Sequence, residues 1–380
     1  MDELREVRDE IDHINAEMAQ LFKRRMELSV RVAEHKKKNN MAVQDKARER
    51  AILEQMEQIT GEEFAVYTRT LFSTLFNVSK AYQNKMLATN TAFLDKVRKA
   101  REESEQMFPS GAVVACQGAE GAFSQMAADK LFARANILYF NNFEGVFQAV
   151  EKGLCRYGVL PIENSSHGSV NEVYDLMQNY NFSIVRTVKL HVNHYLLAKP
   201  GAKFENIKEV FSHSQAIGQC GHFLAELQGV KITPCENTAI AAKMVMESGR
   251  DDVAAISSEN CAELYGLQIL KNQIQDVLNN YTRFICVAKD MEIFAGANRI
   301  SLLLTLPHEP GSLYQMISKF AALGLNLTKL ESRPIAGKDF EFMFYFDIEA
   351  SVWDENVVGL LSELSATKER FVFLGNYSEE

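Results

Sequence analysis

The first hundred or so residues hold almost nothing that interrupts a helix: no glycine precedes Gly61 and no proline precedes Pro109. Without those breakers the segment is expected to be almost wholly helical. The six cysteines, at positions 116, 155, 220, 235, 261 and 286, form no CxxC pair. That disfavours a zinc site or a disulfide scaffold and points to reduced thiols. Positive charge is not in surplus either, the formal net charge being -9, which argues against a general nucleic-acid binder. No apolar run is long enough to span a bilayer and no leader-like stretch follows Met1, so no membrane partner is expected and a cytoplasmic location is. The GxGxxG and GK[ST] signatures of nucleotide sites are missing as well, and no cofactor or metal is anticipated.

What is present describes an ordinary globular chain. Of its 380 residues 47% are hydrophobic and 24% charged, enough for two to four domains with normal cores. From Gly111 onward the texture changes to short apolar runs such as "AVVAC", "YGVLPI", "FSIV" and "RFICVA", separated by helical stretches. This reads as α/β. After a break at "KDMEIFAGAN" the order becomes βαββαβ, a ferredoxin-like small domain. The expected division is 1–88 all-helical, 89–110 a charged helical linker, 111–290 α/β, and 296–380 ferredoxin-like.

In the helical part, Leu4, Val7, Ile11, Ile14, Met18, Leu21, Leu28 and Val32 follow the three-four spacing of an apolar seam, so one long helix should pack against others. Arg25 sits in that seam. A buried guanidinium without a partner is costly, so either an anion or an internal carboxylate should meet it. Lys36, eleven residues on, falls nearly on the same face, about 16 Å along the axis. Arg8 lies about 25 Å before Arg25, too far to share a small ligand within one straight helix. Asp45, Arg48 and Glu49 adjoin on the next helix, and Ser79 and Gln83 form an i,i+4 pair on a later one.

The stretches "RDEIDHINAEMAQLFKRRMELSVRVAEHK", "DKARE" and "SKAYQ" resemble the all-helical class of chorismate mutases across roughly residues 4 to 86. The resemblance implies a site built from Arg8 of a partner chain with Arg25, Lys36, Asp45, Arg48, Glu49, Ser79 and Gln83 of the other. Conversion of chorismate to prephenate is a pericyclic rearrangement that needs a clamped conformer and stabilised charge on the ether oxygen, with no proton transfer. Lys36 and Gln83 would bond that oxygen, and a glutamine there needs no acidic optimum.

In the α/β part, "VVACQGAEGAFSQM" reads as strand, glycine turn and helix, a turn that exposes backbone N–H groups. "LPIENSSHGSVNEVYDLM", residues 160–177, places many polar groups at a strand-to-helix turn. Ser169 and Glu172 make the S-x-x-E pattern of a capping box, so a helix is expected to start there. The cap leaves Glu163, Asn164, Ser165, Ser166 and His167 without an explanation. "CQGAEGAFS", "GVLPIEN", "SHSQAIGQC", "ENTAIAA" and "NYTRF" resemble, in order, the blocks of prephenate dehydratase over about residues 111–290, and the fused order looks like the bifunctional bacterial P-protein.

That resemblance implies two α/β lobes in the manner of periplasmic binding proteins, with the site in the cleft. Thr282 would donate to the departing ring hydroxyl, Asn164 and Gln219 would also belong to the site, Arg283 is a candidate carboxylate anchor, and His167 receives no role. Where the family commonly has proline this chain has Ser214. "PGSLYQMISKFAALGLNLTKLESRP" resembles the ACT regulatory domain of phenylalanine-sensitive dehydratases. The effector residues implied are Gly311, Leu313, Asn326, Glu331 and Ser332, with serine replacing alanine at Ser312 and L-phenylalanine as the ligand at an interface of two such domains. A homodimer or higher homo-oligomer is therefore expected, with chorismate and prephenate as substrates. Alternatives are an arogenate-preferring dehydratase and a ligand sensor without turnover.

Overall fold

The computed structural model of the protein describes residues 2–39, 45–87, 91–335, 342–367 and 370–380. Of residues 37–44, expected as a loop after the first helix, 40–44 lie outside the described residues, as do the first residues of the linker, Thr89 and Asn90. The chain forms two compact units: one of Met1–Val97, Leu303–Phe346 and Val352–Val372, the other of Arg98–Leu302, Asp347–Ser351 and Phe373–Glu380.

The breaker-free segment is helical as expected: α1 (Asp2–Lys38), α2 (Lys46–Thr60) and α3 (Ala65–Leu87), with α4 (Thr91–Glu103) following. Gly61 ends α2 in a left-handed conformation, φ 80°, and its N–H bonds the Glu57 carbonyl at 2.9 Å. Such a stop suits glycine, which has no Cβ to clash. The seam residues on α1 do not become core in the single chain: Leu4, Val7, Ile11, Ile14, Met18, Leu21, Leu28 and Val32 remain between 45% and 65% exposed. The charged linker has an apolar edge, since Phe93, Val97 and Ala100 on α4 are buried. It is not helical over 104–110, where Phe108 instead packs on Phe132, Tyr157 and Phe294.

The α/β part runs β1 (Gly111–Gln117), α5 (Phe123–Leu131), β2 (Arg134–Phe140), α6 (Phe143–Glu151), β3 (Tyr157–Asn164), β4 (Gly168–Ser169), α7 (Asn171–Asn179) and β5 (Ser183–His191). It then crosses to a second sheet through β6 (Tyr195–Ala198), β7 (Glu209–His213), α8 (Ser214–Gln219), α9 (Gly221–Glu226), β8 (Lys231–Cys235), α10 (Thr238–Glu247), β9 (Val253–Ser257), α11 (Glu259–Tyr265) and β10 (Gln268–Lys271), and returns as β11 (Tyr281–Ala288). Strand order is β5-β11-β3-β1-β2 in the first lobe and β10-β6-β9-β7-β8 in the second. Two crossovers, 192–194 and 272–280, therefore join the lobes, and the two-lobed arrangement is the one that the resemblance implied.

Helices on both faces explain the near-continuous apolar runs of these strands. In the second sheet, Leu197 and Ala255 belong to one core and Leu196, Ala254 and Ile256 to another. The turn between β1 and α5 brings the lobes close. At Gly121, φ 88°, a Cβ would lie 2.9 Å from Cys261 Sγ on α11.

The last segment is β12 (Arg299–Thr305), α12 (Ser312–Ala322), β13 (Asn326–Pro334), β14 (Phe342–Glu349), α13 (Glu355–Thr367) and β15 (Phe371–Glu379). Its order β13-β14-β12-β15 is the ferredoxin-like one, and β13 is an edge strand among the described residues. At the other end, β15 meets β5 in parallel through Ser378 and Glu379 opposite Arg186 and Thr187.

One local expectation fails. The helix after β4 starts at Asn171, its N-cap is Val170, and no side chain caps it. Ser169 instead lies opposite Glu163 in a short antiparallel ladder. The S-x-x-E pattern was outcompeted by strand pairing, which begins the helix one residue late for a capping box.

Candidate active sites

The helical segment brings Arg25 and Ser79 together. Arg25 Nη1 donates to Ser79 Oγ and, at 3.2 Å, to the Leu75 carbonyl, while its guanidinium lies 5.8 Å from the Phe76 ring centre. No carboxylate among the described residues accompanies those bonds, and burial pulls the Arg25 pKa down. Gln83 is one turn beyond Ser79 on α3; it is buried, and its Oε1 has no partner. A buried amide oxygen without a donor calls for a polar ligand that can donate to it, while the half-buried Arg25 guanidinium suits an anionic group. The α2 residues have other work within the chain: Asp45 caps α2 by accepting from Arg48 N at 3.0 Å, and Glu49 pairs with Lys80 at 3.2 Å. Arg8 and Arg48 are exposed and Lys36 half-buried.

The second cluster lies at the end of β3. Asn164 Oδ1 accepts from the backbone N–H groups of Ser166 and His167, both at 3.0 Å. Backbone N–H can only donate, so these two bonds fix which end of the amide is oxygen. The Asn164 Nδ2 must then donate to Thr282 Oγ1 at 2.9 Å and to Asn280 Oδ1 at 2.8 Å. Thr282 thus receives a hydrogen bond at its oxygen and keeps its own hydrogen free to donate elsewhere. The pairing follows from register, because β11 lies antiparallel to β3 with Thr282 opposite Asn164.

The polar excess in residues 163–167 is now accounted for locally. Ser165 exchanges backbone and side-chain bonds with Tyr281, its N–H reaching Tyr281 O at 2.8 Å and its Oγ accepting from Tyr281 N at 2.9 Å. Gln219, at the end of α8, contacts His194 Nε2 through Oε1 at 2.7 Å and His167 Nδ1 through Nε2 at 3.1 Å. Sequence reasoning missed two members. Asn280 is 1% exposed with an unpartnered Nδ2, and its place just before β11, two residues before Thr282, was the available signal. His194 is buried in a crossover, and nothing in the sequence marked it.

In the C-terminal segment, Gly311 takes φ 85° just before α12, and Leu313 follows in the first turn. Alternation along β13 leaves Asn326 and Ser332 on its exposed face, whereas Glu331 lies on the other, 3.6 Å from Lys329. The effector residues expected on this strand are therefore divided between its two faces.

Comparison with known proteins agrees with this layout. Residues 7–84 match the family described as chorismate mutase type II, and residues 114–292 match prephenate dehydratase. A bifunctional chorismate mutase/prephenate dehydratase from Aquifex aeolicus is 30% identical, covering 99% of this chain and 98% of that one. The chloroplastic arogenate dehydratase/prephenate dehydratase 2 of Arabidopsis thaliana is 37% identical over 79% of this chain and 82% of its own. Among solved structures, a prephenate dehydratase from Arthrobacter aurescens in complex with L-Phe is 28% identical, with a TM-score of 0.64 over 70% of this chain and 90% of that one.

Arg283 corrects the expectation of a free carboxylate anchor. Next to Thr282 on β11, its side chain takes the opposite face and is 10% exposed. Its Nη2 bonds Asp347 Oδ2 at 2.6 Å and lies 3.5 Å from Glu163 Oε2. Burial opposes the guanidinium charge, and Asp347 more than offsets it, so the net pKa shift is upward. Asp347 in turn accepts from Ser301, which meets the Tyr377 hydroxyl at 2.6 Å. Arg283 is thus a tie between β11 and β14. Asp347→Ala, which strands a buried cation, should cost about 3–5 kcal/mol in urea unfolding. The double variant Arg283→Met/Asp347→Leu should cost less, and wild-type stability in Asp347→Ala would contradict the pairing.

Proposed function

The chain belongs to the family of bifunctional chorismate mutase/prephenate dehydratases, and from that premise we propose how its residues divide the two reactions of phenylalanine biosynthesis. The helical segment converts chorismate to prephenate. Arg25 and Lys36 grip the dianion, Ser79 holds Arg25 in place, and Gln83 with Lys36 bonds the ether oxygen as charge grows there. Asp45, Arg48 and Glu49 complete the wall of the site. On a helix as long as α1, Arg8 cannot reach the same ligand from its own chain. It comes from a second copy, and the uncovered seam on α1 is the surface that copy covers.

The two-lobed segment removes CO2 and hydroxide from prephenate. The electron pair of the breaking C–CO2 bond enters the ring, the ring C–O bond breaks, and one proton taken up converts hydroxide to water. Thr282 donates a hydrogen bond to the departing oxygen and does not transfer its proton outright, because an alcohol is too weak an acid near neutral pH. The observation that carries this reading is the Asn164 amide, which donates to Thr282 Oγ1 and so leaves the threonine hydrogen for the substrate. Gln219 faces the same cleft. Prephenate is the substrate, because the mutase of the same chain makes it; arogenate, named for the Arabidopsis relative, differs in one amino group.

The C-terminal segment is an ACT-type regulatory domain with L-phenylalanine as its feedback inhibitor. Support comes from its βαββαβ order, from the left-handed Gly311 at the start of α12, and from the L-Phe in the Arthrobacter relative. The open edge of β13, with Asn326 and Ser332 exposed, gives an effector and a second domain a place to meet. Free thiols at all six cysteines suit a reducing, cytoplasmic location.

Thr282→Ala should abolish turnover of prephenate in the full chain while chorismate is still converted; equal loss of both rates in a folded variant would contradict the assignment. Mixing inactive Arg8→Ala with inactive Arg25→Ala chains should restore about one quarter of the mutase rate, since one intact site forms per mixed dimer. No recovery after subunit exchange would place both arginines in a single-chain site.

A further inference from the structure

His167 and His194 flank Gln219, and no step of either reaction uses them. Gln219 ends α8 in the second lobe, His167 lies in the turn between β3 and β4 in the first, and His194 lies in the crossover between β5 and β6. The bond from Gln219 Nε2 to His167 Nδ1 therefore spans the cleft. His194 is held at its backbone by the other crossover: its N–H donates to Gln275 Oε1 at 2.9 Å, and its carbonyl accepts from Ile274 N at 2.9 Å. Gln275 also reaches Asn193, and Asp276 N bonds the Gln219 carbonyl at 2.7 Å. The Phe123 ring stands edge-on to the His194 ring, 6.3 Å between centres.

The amide and the two ring tautomers are coupled, so the amide's placement corresponds to one proton arrangement. With Oε1 toward His194, the His194 ring carries its hydrogen on Nε2 and leaves Nδ1 bare, and that buried Nδ1 has no partner. Burial also disfavours the cationic ring and lowers the His194 pKa, although the bond to Gln219 opposes this. With Nε2 toward His167, that ring accepts at Nδ1. Neither nitrogen touching Gln219 is then placed to shuttle a proton, so what the pair can supply is orientation. His167 is also tied to the other half of the site, since its backbone N–H bonds Asn164 Oδ1. A continuous path thus runs from Thr282 through Asn164, His167 and Gln219 to His194.

We propose that His167 and His194 are positioning residues for the dehydratase reaction: they hold the Gln219 amide in a single orientation and, through the His167 contact, set the separation of the two lobes around the substrate. This rests on the dehydratase reading of the cleft. A glutamine free to rotate would present its oxygen and its NH2 alternately, and half of those encounters would oppose the charge developing on the substrate. Misplacement on this scale acts on the chemical step more than on binding.

The test uses the full chain with prephenate. His167 is exposed on a turn, so its substitution should leave the fold intact. His167→Ala should lower dehydratase kcat about tenfold or more while KM changes less. His167→Asn, whose Oδ1 stands where Nδ1 was, should recover most of the loss. At the buried position, His194→Gln keeps an N–H near the place of Nε2 and should retain more kcat than His194→Leu. Unchanged kcat in His167→Ala, or equal impairment of the Ala and Asn variants, would overturn the role of His167, and equal loss in the two His194 variants would reduce that residue to packing. Wild-type protein that leaves prephenate unconverted would instead overturn the dehydratase reading itself.

Discussion

The orientation of one side-chain amide organises the proposed dehydratase site. Asn164 ends β3, and two backbone N–H groups from the turn that follows hold its oxygen. Once that end is fixed, the NH2 donates to Asn280 and to Thr282, so Thr282 accepts from the protein and keeps its own hydrogen to donate. Nothing in this needs a shifted pKa or a metal ion. It needs the antiparallel register of β3 and β11, which sets Asn164 opposite Thr282. The buried apolar strands that fix this register are what the α/β core contributes to catalysis.

Neighbouring residues extend the constraint in two directions. On the face opposite Thr282, Arg283 fastens β11 to Asp347 of β14, and Asp347 belongs to the βαββαβ segment in sequence. A strand whose consecutive residues serve a reacting group and a buried ion pair cannot shift one without loading the other. In the cleft, His167 carries the order of the Asn164 turn across to Gln219. The mutase segment differs: its polar groups lie among helices, an apolar seam stays exposed along α1, and in the proposed site a second copy covers that seam and supplies Arg8.

Much of this was legible in the sequence because its signals were local or periodic. The absence of Gly and Pro marked the helical segment, and the seam from Leu4 to Val32 gave the long helix. Short apolar runs gave the α/β class, the resemblance to prephenate dehydratase implied the two lobes, and the motif blocks singled out Arg25, Ser79, Gln83, Asn164, Gln219 and Thr282. Failures came where tertiary pairing decided. Ser169 and Glu172 have the spacing of a capping box, but β4 paired with β3 and moved the helix start. Arg283 has the charge of a carboxylate anchor, but strand alternation turned it away from Thr282 and toward Asp347, 64 residues later in the chain. His194 was silent because a lone histidine in a crossover acquires meaning only from Gln219, which lies on another element.

The most direct test of the Asn164 constraint is the isosteric Asn164→Asp variant, assayed with chorismate and with prephenate. One carboxylate oxygen can still accept from Ser166 and His167, but the other replaces the NH2 group and draws the Thr282 hydrogen to itself. The account predicts a dehydratase kcat lowered about 100-fold or more with the mutase rate unchanged. Near wild-type turnover of prephenate by Asn164→Asp would contradict it.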